Sequence, residues 1–338
     1  MHFLLTGHTG FKGTWMALLL SARGHKVSGI SLDPIEDALF TKIDFATLFA
    51  NDVRADIRDD KSLGRYFMEI KPDVVIHLAA QPLVRESYKD PITTYDTNIL
   101  GTLNVLKATA HTNSIKAQLI VTTDKVYENK NKLDGYVESE ALGGHDPYST
   151  SKAVADILTQ AWVRNFNSCP TAIARAGNVI GGGDVSPDRL IPDLIYSYLQ
   201  DKIPLLRYPN SVRPWQHVLD CANGYLKLVD SLLLGKGSGA WNFGPSKSEI
   251  KTVAEVSELV GNIWGVRNTW QLDERPQPIE AGLLLLNSEK ARKNLLWRDK
   301  LDFSESVKWT TNWYKDVNLG VSPSVATSKN ISLFESMS

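Results

Sequence analysis

The chain has 338 residues, a net charge of −1 from 37 Lys and Arg against 38 Asp and Glu, and 43% hydrophobic residues. That length accommodates one large α/β unit or two coupled subdomains with a sizeable core. The even charge balance argues against nucleic acid as a partner and leaves any anionic substrate to a few placed arginines.

The first expected strand, residues 3–6, comes almost at once. No charged segment followed by an apolar stretch precedes it, so no signal peptide is expected. Further short runs at 27–30, 74–78, 119–122 and 171–174 are apolar and continuous rather than alternating. That texture suits strands of a parallel sheet covered on both faces. Helical patterns at 12–23, 60–70, 93–111 and 148–167 alternate with them, which implies right-handed crossovers and a doubly wound sheet. No run of about 20 apolar residues is present, so a soluble, cytoplasmic protein is expected. Cys169 and Cys221 make no disulfide framework and have no metal-ligand spacing around them.

Between the first strand and first helix lies Gly7-His8-Thr9-Gly10-Phe11-Lys12-Gly13. Glycines after a strand and before a helix let backbone amides approach a pyrophosphate, and the helix N-terminus adds partial positive charge. His8 and Lys12 are unusual in such a turn; they either touch the pyrophosphate or stay in solvent. Asp33, after the second strand, suits the adenosine ribose hydroxyls and repels a 2′-phosphate, favouring NAD over NADP. Its alternative is a helix-capping role before Pro34. Asp56 and Ile57 follow a third strand and can border the adenine. Leu78, Ala79 and Ala80 are small or apolar residues at a strand's C-terminal edge, where a ligand can approach the backbone. His77 is expected as a satisfied core histidine.

Thr123, Asp124 and Lys125 close the strand at 119–122 and project from the edge where such sheets bind ligands. Asp146-Pro147 then starts a helix, with Asp as cap and Pro in the first turn. Tyr148 and Lys152 are four apart and share one face of it. A tyrosine with a pKa of about 10 is a poor base, and a nearby ammonium would lower that value. The phenolate can then take a proton from a sugar hydroxyl while its carbon gives hydride to NAD. Thr123 can bond the same hydroxyl. Asp124 is a candidate acid, and Lys125 a candidate base or electrostatic group.

Beyond residue 180 the texture changes to glycine and proline loops. The expected fold is α/β: a doubly wound parallel Rossmann sheet in residues 1–180, with a smaller C-terminal substrate-binding lid in 181–320. Some lid segments, residues 240–243 among them, return to the sheet. Residues 321–338 are serine-rich with little periodicity and are expected as a flexible tail.

These residues resemble the extended short-chain dehydrogenase/reductases over roughly residues 1–315. Within them the chain is similar to the CDP-glucose branch of the sugar-nucleotide 4,6-dehydratases. The resemblance rests on the glycine turn at 7–13, Ala-Ala-Gln-Pro-Leu-Val-Arg at 79–85, Thr-Asp-Lys at 123–125 and Asp-Pro-Tyr-Ser at 146–149. It continues in Arg-Ala-Gly-Asn-Val-Ile-Gly-Gly-Gly-Asp at 175–184, Asp-Arg-Leu-Ile-Pro-Asp at 188–193 and Arg-Pro-Trp-Gln-His-Val at 213–218. It implies tightly held NAD and a reaction in three stages: oxidation at C4, loss of water across C5 and C6, and hydride return to C6. Asp124 matches the family's acid position. Most such dehydratases carry Glu where this chain has Lys125; the CDP-glucose branch has Lys, which leaves the C5 base open.

The resemblance places Arg213 and Asn178 near the substrate diphosphate. Arg189 and Arg207 are further arginine forks suited to phosphate. Arg85 reaches the sugar or a phosphate, or neither, and Trp215 packs beside the nucleotide or in the core. The implied partner is a nucleotide sugar, CDP-glucose. The implied assembly is a homodimer or dimer of dimers through helices 93–111 and 148–167. A 4-epimerase or decarboxylase on the same fold would use Tyr148 and Lys152 without an acid at C6. A dinucleotide-sensing protein without catalysis would need none of the four residues Thr123, Asp124, Tyr148 and Lys152.

Overall fold

The structure is a computed structural model and describes residues 1–44, 47–166, 169–246, 250–275 and 283–337. The chain begins β1 (His2–Thr6), α1 (Phe11–Ala22), β2 (Lys26–Ser31), β3 (Asn51–Arg54), α2 (Asp60–Ile70) and β4 (Val74–His77). It continues through α3 (Val84–Lys89), α4 (Pro91–Tyr95), α5 (Gly101–Ala110), β5 (Ala117–Val121), α6 (Pro147–Phe166) and β6 (Thr171–Ala176). Then come β7 (Asn178–Ile180), α7 (Leu190–Leu199), β8 (Leu205–Leu206), β9 (Val212–Arg213), β10 (Trp215–His217), α8 (Val218–Leu233) and β11 (Gly239–Phe243). The remaining elements are β12 (Lys251–Thr252), α9 (Val253–Trp264), β13 (Gln271–Leu272), α10 (Glu289–Asn294), α11 (Phe303–Asn318) and α12 (Pro323–Ser336).

Seven strands form one sheet in the order β11-β6-β5-β4-β1-β2-β3, every neighbouring pair parallel. Alternation along β1 decides which layer each side chain joins. Phe3 and Leu5 enter a cluster with Trp15 and Leu19 of α1 and Leu228 of α8. Leu4 faces the other way, toward Leu63 and Phe67 of α2 and Val105 of α5. Both faces are therefore covered, as the continuous apolar runs imply. Segment 240–243 does return to the sheet, as β11 beside β6. A separate cluster joins Ile191, Leu194 and Tyr198 of α7 to Val256 and Val260 of α9.

Three sequence expectations change. The helix expected over 93–111 is broken by a π turn at Asp96–Leu100 between α4 and α5. The wide turn carries Asn98 inward, where it accepts from Gln81 N (2.9 Å) and donates to Ser151 Oγ (2.8 Å). Strand β3 carries no apolar run because it is the exposed edge of the sheet. The expected flexible tail is instead α12, with Ala326, Ile331 and Phe334 buried in the main cluster. Pro323 starts it, and Arg23, just past the end of α1, pairs with Glu335 at 2.8 Å.

One buried ion pair ties α6 to the sheet. Arg175 donates from Nε and Nη2 to the two carboxylate oxygens of Asp156, both at 2.8 Å, and both side chains are sealed from solvent. Thr122 and Gln160 donate to the same carboxylate. Tyr127 accepts from Arg175 Nη1 at 2.8 Å. Removing one member of such a pair leaves a buried charge without its partner. Asp156→Ala is expected to lower stability by about 3–5 kcal/mol, read as a lowered urea midpoint at unchanged slope.

Candidate functional site

The sheet order reverses between β1 and β4, because β1 pairs with β2 on one side and β4 on the other. The crevice beyond their C-terminal ends is the ligand-binding edge of such a sheet. The glycine turn lies there. Gly7 has φ 75, and a Cβ on it would meet Ala79 at 2.7 Å. A Cβ on Gly13 would come within 2.1 Å of Gly7 O. Gly10 caps α1 without any side-chain hydrogen bond, and no acidic residue stands in the helix's first turn. On Gly10 a Cβ would find only Gly7 O, at 3.4 Å. An uncapped helix end with open backbone above it fits a pyrophosphate. Leu78, Ala79 and Ala80 follow β4 alongside it, and Phe11 opens the helix.

His8 does not face this opening. Its ring is fully buried between Phe40 and Phe49, with Nε2 2.7 Å from Asp52 Oδ1. A Cβ on Gly29 would strike that ring at 2.2 Å, so glycine in β2 makes room for it. Only the backbone of His8 is left for a cofactor. Lys12 is half-buried, with its Nζ 5.9 Å over the ring of Tyr225. Asp33 is 89% exposed and faces Arg54 Nε at 3.5 Å. Asp56 is held by Arg58, whose hydrogen bonds lower its pKa. The Ile57 side chain is buried in the cluster of α2 and α5. His77 is a satisfied core histidine, bonded to Thr6 (2.7 Å) and Thr102 (3.0 Å).

The second half of the site gathers at the end of β5. Thr123 caps a single 3-10 turn, Asp124–Val126, and its hydroxyl donates to Asp124 Oδ1 at 2.9 Å. Asp124 is buried, and its Oδ2 has no hydrogen-bond partner in the protein. Gly177 lies against that oxygen beyond β6, where a Cβ would come to 3.2 Å from it. Lys125 is half-buried on the same turn. Tyr148 enters from the first turn of α6 and is buried beside Thr123, whose hydroxyl favours its ionised form.

Lys152 is buried one helical turn on. Its Nζ donates to Val121 O at 3.0 Å. Burial raises the Tyr148 pKa; the charge of Arg189 and the Thr123 hydrogen bond oppose that rise, and Asp124 and Asp146 add to it. An arginine and a hydroxyl therefore favour the ionised phenol against its burial. Burial and the nearby Lys12 bring Lys152 itself down to about 8.

Three residues not foreseen support this corner. Ser87 of α3 accepts from Tyr148 N at 3.1 Å, and Ser151 donates to Tyr148 O at 2.7 Å. Asn98 holds Ser151 in turn. Their signal in the sequence was hidden, because the π turn that aims Asn98 inward has no composition signature.

The arginines divide. Arg85 and Arg207 line a cleft of about 360 Å³ with Asp188, Asp193, Asp273 and Arg275. Asp188 Oδ1 lies between them, 3.1 Å from Arg85 and 3.4 Å from Arg207. Burial and then Asp188 push Asp193 up to about 6. Arg189 begins α7, donates to Pro82 O and acts on Tyr148 through its charge. Arg213 is buried in β9, donates to Val212 O at 2.9 Å and does not line the cleft. Asn178 pairs with Trp215 in the β7–β10 ladder. Trp215, one of the candidates for the nucleotide, is a core residue: it packs with Ile180 and Val256, and its indole N–H donates to Lys251 O. Among the described residues no group of His, Cys, Asp and Glu could hold a metal.

Comparison with known proteins places this geometry. The NAD dependent epimerase/dehydratase family matches residues 3–244. A CDP-glucose 4,6-dehydratase of Salmonella typhimurium is 40% identical over 322 residues, covering 92% of this chain and 89% of its own. A dTDP-glucose 4,6-dehydratase of Escherichia coli is 28% identical over 284 residues, with 77% of each covered. The fold also matches a dTDP-glucose 4,6-dehydratase of Streptomyces venezuelae solved with NAD, with a TM-score of 0.82, 23% identity, and 94% of this chain and 97% of that one covered. The chain belongs to the NAD dependent epimerase/dehydratase family.

Proposed function

We propose that this chain is a hydro-lyase that converts CDP-glucose to CDP-4-dehydro-6-deoxyglucose with NAD. The 40% identical relative supports the substrate. The observation that carries the reading is Asp124: a buried carboxylate with one oxygen unpartnered, hydrogen-bonded to the Thr123 whose hydroxyl also favours the ionised form of Tyr148. An epimerase needs the tyrosine but has no leaving hydroxide to protonate.

Residues 1–180 hold the coenzyme in this reading and 181–320 most of the substrate. Gly7, Gly10, Phe11, Lys12 and Gly13 surround the pyrophosphate, with the backbone of His8; Asp33 takes the ribose hydroxyls and Leu78, Ala79 and Ala80 line the wall. NAD, when bound, takes hydride from C4 and returns it to C6, and its cationic ring favours an ionised phenol nearby. Tyr148 accepts the proton of O4, and Thr123 orients that hydroxyl. Lys152, fixed on Val121 O, is a proton reservoir and charge behind it. The 4-ketone acidifies the C5 proton. Lys125 assists its removal, and Asp124 delivers a proton to the hydroxide leaving C6, so that water departs. Arg85, Arg189 and Arg207 receive the diphosphate, with Asn178 and Arg213 nearer the sheet edge.

Exposed apolar side chains at Leu100, Val154 and Ile157, on the π turn and α6, suit pairing with a second copy as a homodimer. Cys169 and Cys221, neither of them in a disulfide, suit a reducing cytoplasm. Among the described residues no helix is long and apolar enough to cross a membrane.

Incubating the purified protein with CDP-, dTDP-, UDP- and GDP-glucose tests the reading by mass. CDP-glucose is expected to lose one water; a product of unchanged mass would mark an epimerase instead. Tyr148→Phe is expected to cut kcat about 10³-fold. Lys125→Ala is expected to slow product release about 100-fold, while a 4-keto-glucose nucleotide still forms and is trapped by borohydride. Product release at the wild-type rate would remove Lys125 from the elimination.

A further inference from the structure

The corner beyond β2 and β3 contains charged groups that the proposed chemistry leaves unused. Arg54 ends β3, in register with Ser31 at the end of β2. Its guanidinium lies 5.1 Å over the ring of Phe40. Both η nitrogens donate to Asp52, Nη2 to Oδ2 at 2.9 Å. Nε faces Asp33 Oδ1 at 3.5 Å. Asp52 Oδ1 is shared with the buried His8 ring at 2.7 Å, so the carboxylate is anchored from behind. Burial lowers the His8 pKa, which leaves that ring neutral at neutral pH.

An arginine at this edge ordinarily receives the 2′-phosphate of NADP. Here its fork is already taken. Two carboxylates, Asp33 and Asp52, against one guanidinium leave the corner with a net charge of −1. A 2′-phosphate of about −1.5 to −2 charge would have to displace a carboxylate that His8 keeps in place. The ribose hydroxyls of NAD carry no such charge and need only Asp33, which Arg54 steers. Building on the coenzyme reading above, we infer that Asp52 determines coenzyme selectivity: by occupying Arg54 it excludes NADP, while Arg54 positions Asp33 for NAD. Asp33 alone is a selector on an exposed loop; the Asp52–Arg54 pair gives it a charged partner at 3.5 Å.

The test is a competition that needs no turnover. Holoprotein is equilibrated with equal concentrations of NAD and NADP, desalted, and the retained nucleotides are released and quantified. The Asp52→Asn variant keeps an acceptor for His8 but loses the charge. Its retained NADP:NAD ratio is expected to rise about tenfold over wild type. That gain should shrink at high salt, as a Coulombic effect does and a packing effect does not. Asp52→Glu is expected to restore the wild-type ratio, and Glu69→Gln, on the far side of α2's ion pair with Arg65, to leave it unchanged. A wild-type ratio in Asp52→Asn overturns the inference. Loss of both nucleotides together also overturns it, by showing Asp52 to be only a support for the His8 turn. Wild-type protein that retains neither nucleotide would sink the coenzyme reading, and this inference with it.

Discussion

Everything in this molecule depends on three backbone segments packed too closely to admit a side chain. Gly7 lies against Ala79, and Gly13 lies against the Gly7 carbonyl, at distances where a single added carbon would collide with main chain. Main chain cannot swing aside as a lysine tip can. The contacts therefore fix the angle at which α1 leaves β1 and the direction in which its first amides point. Because β1 sits where the strand order reverses, those amides open onto the crevice where β4 and β5 also end. The cofactor edge and the chemical edge are brought together by this one close approach.

The chemical groups are then set by attachments made from behind. Tyr148 is held at its backbone by Ser87 and Ser151, and Ser151 in turn by Asn98. Lys152 is tied to the β5 carbonyl of Val121. One turn further along α6, Asp156 is locked by Arg175 of β6. The helix is thus pinned to two adjacent strands along its length. Burial makes the tyrosine hard to ionise on its own, and a hydroxyl and an arginine soften that. Such a phenol is ready for chemistry only when charge arrives beside it, a sensible property for a group that should act on bound substrate alone.

Much of this was legible in sequence, for identifiable reasons. The central strands are buried on both faces, so their apolar runs are continuous and plain. The glycines, Thr123, Asp124, Tyr148 and Lys152 are tied together by chain spacing, and spacing survives in one dimension. What spacing does not carry is direction. A histidine in a glycine turn can point out to a ligand or back into the sheet; His8 points back because Gly29, 21 residues further along the chain but alongside it in β2, leaves it a slot. Trp215 lies in a motif shared with phosphate binders, yet its ring is claimed by α9. Lys152 shares a helix face with Tyr148, yet its ammonium finds a carbonyl instead. The break at Asp96–Leu100 and the helix α12 were missed because both are made by tertiary partners, not by periodicity.

The final helix has a consequence for how the protein comes into being. Phe334 and Ile331 complete the same apolar layer that Trp15 and Leu19 begin. During synthesis, the first helix emerges long before the segment that covers part of its face. Until then that face is exposed to solvent and to other nascent chains. The apolar core is closed by a helix translated some three hundred residues after α1, so a ribosome that stalls before α12 would leave an unsealed and adhesive molecule rather than a shortened working one.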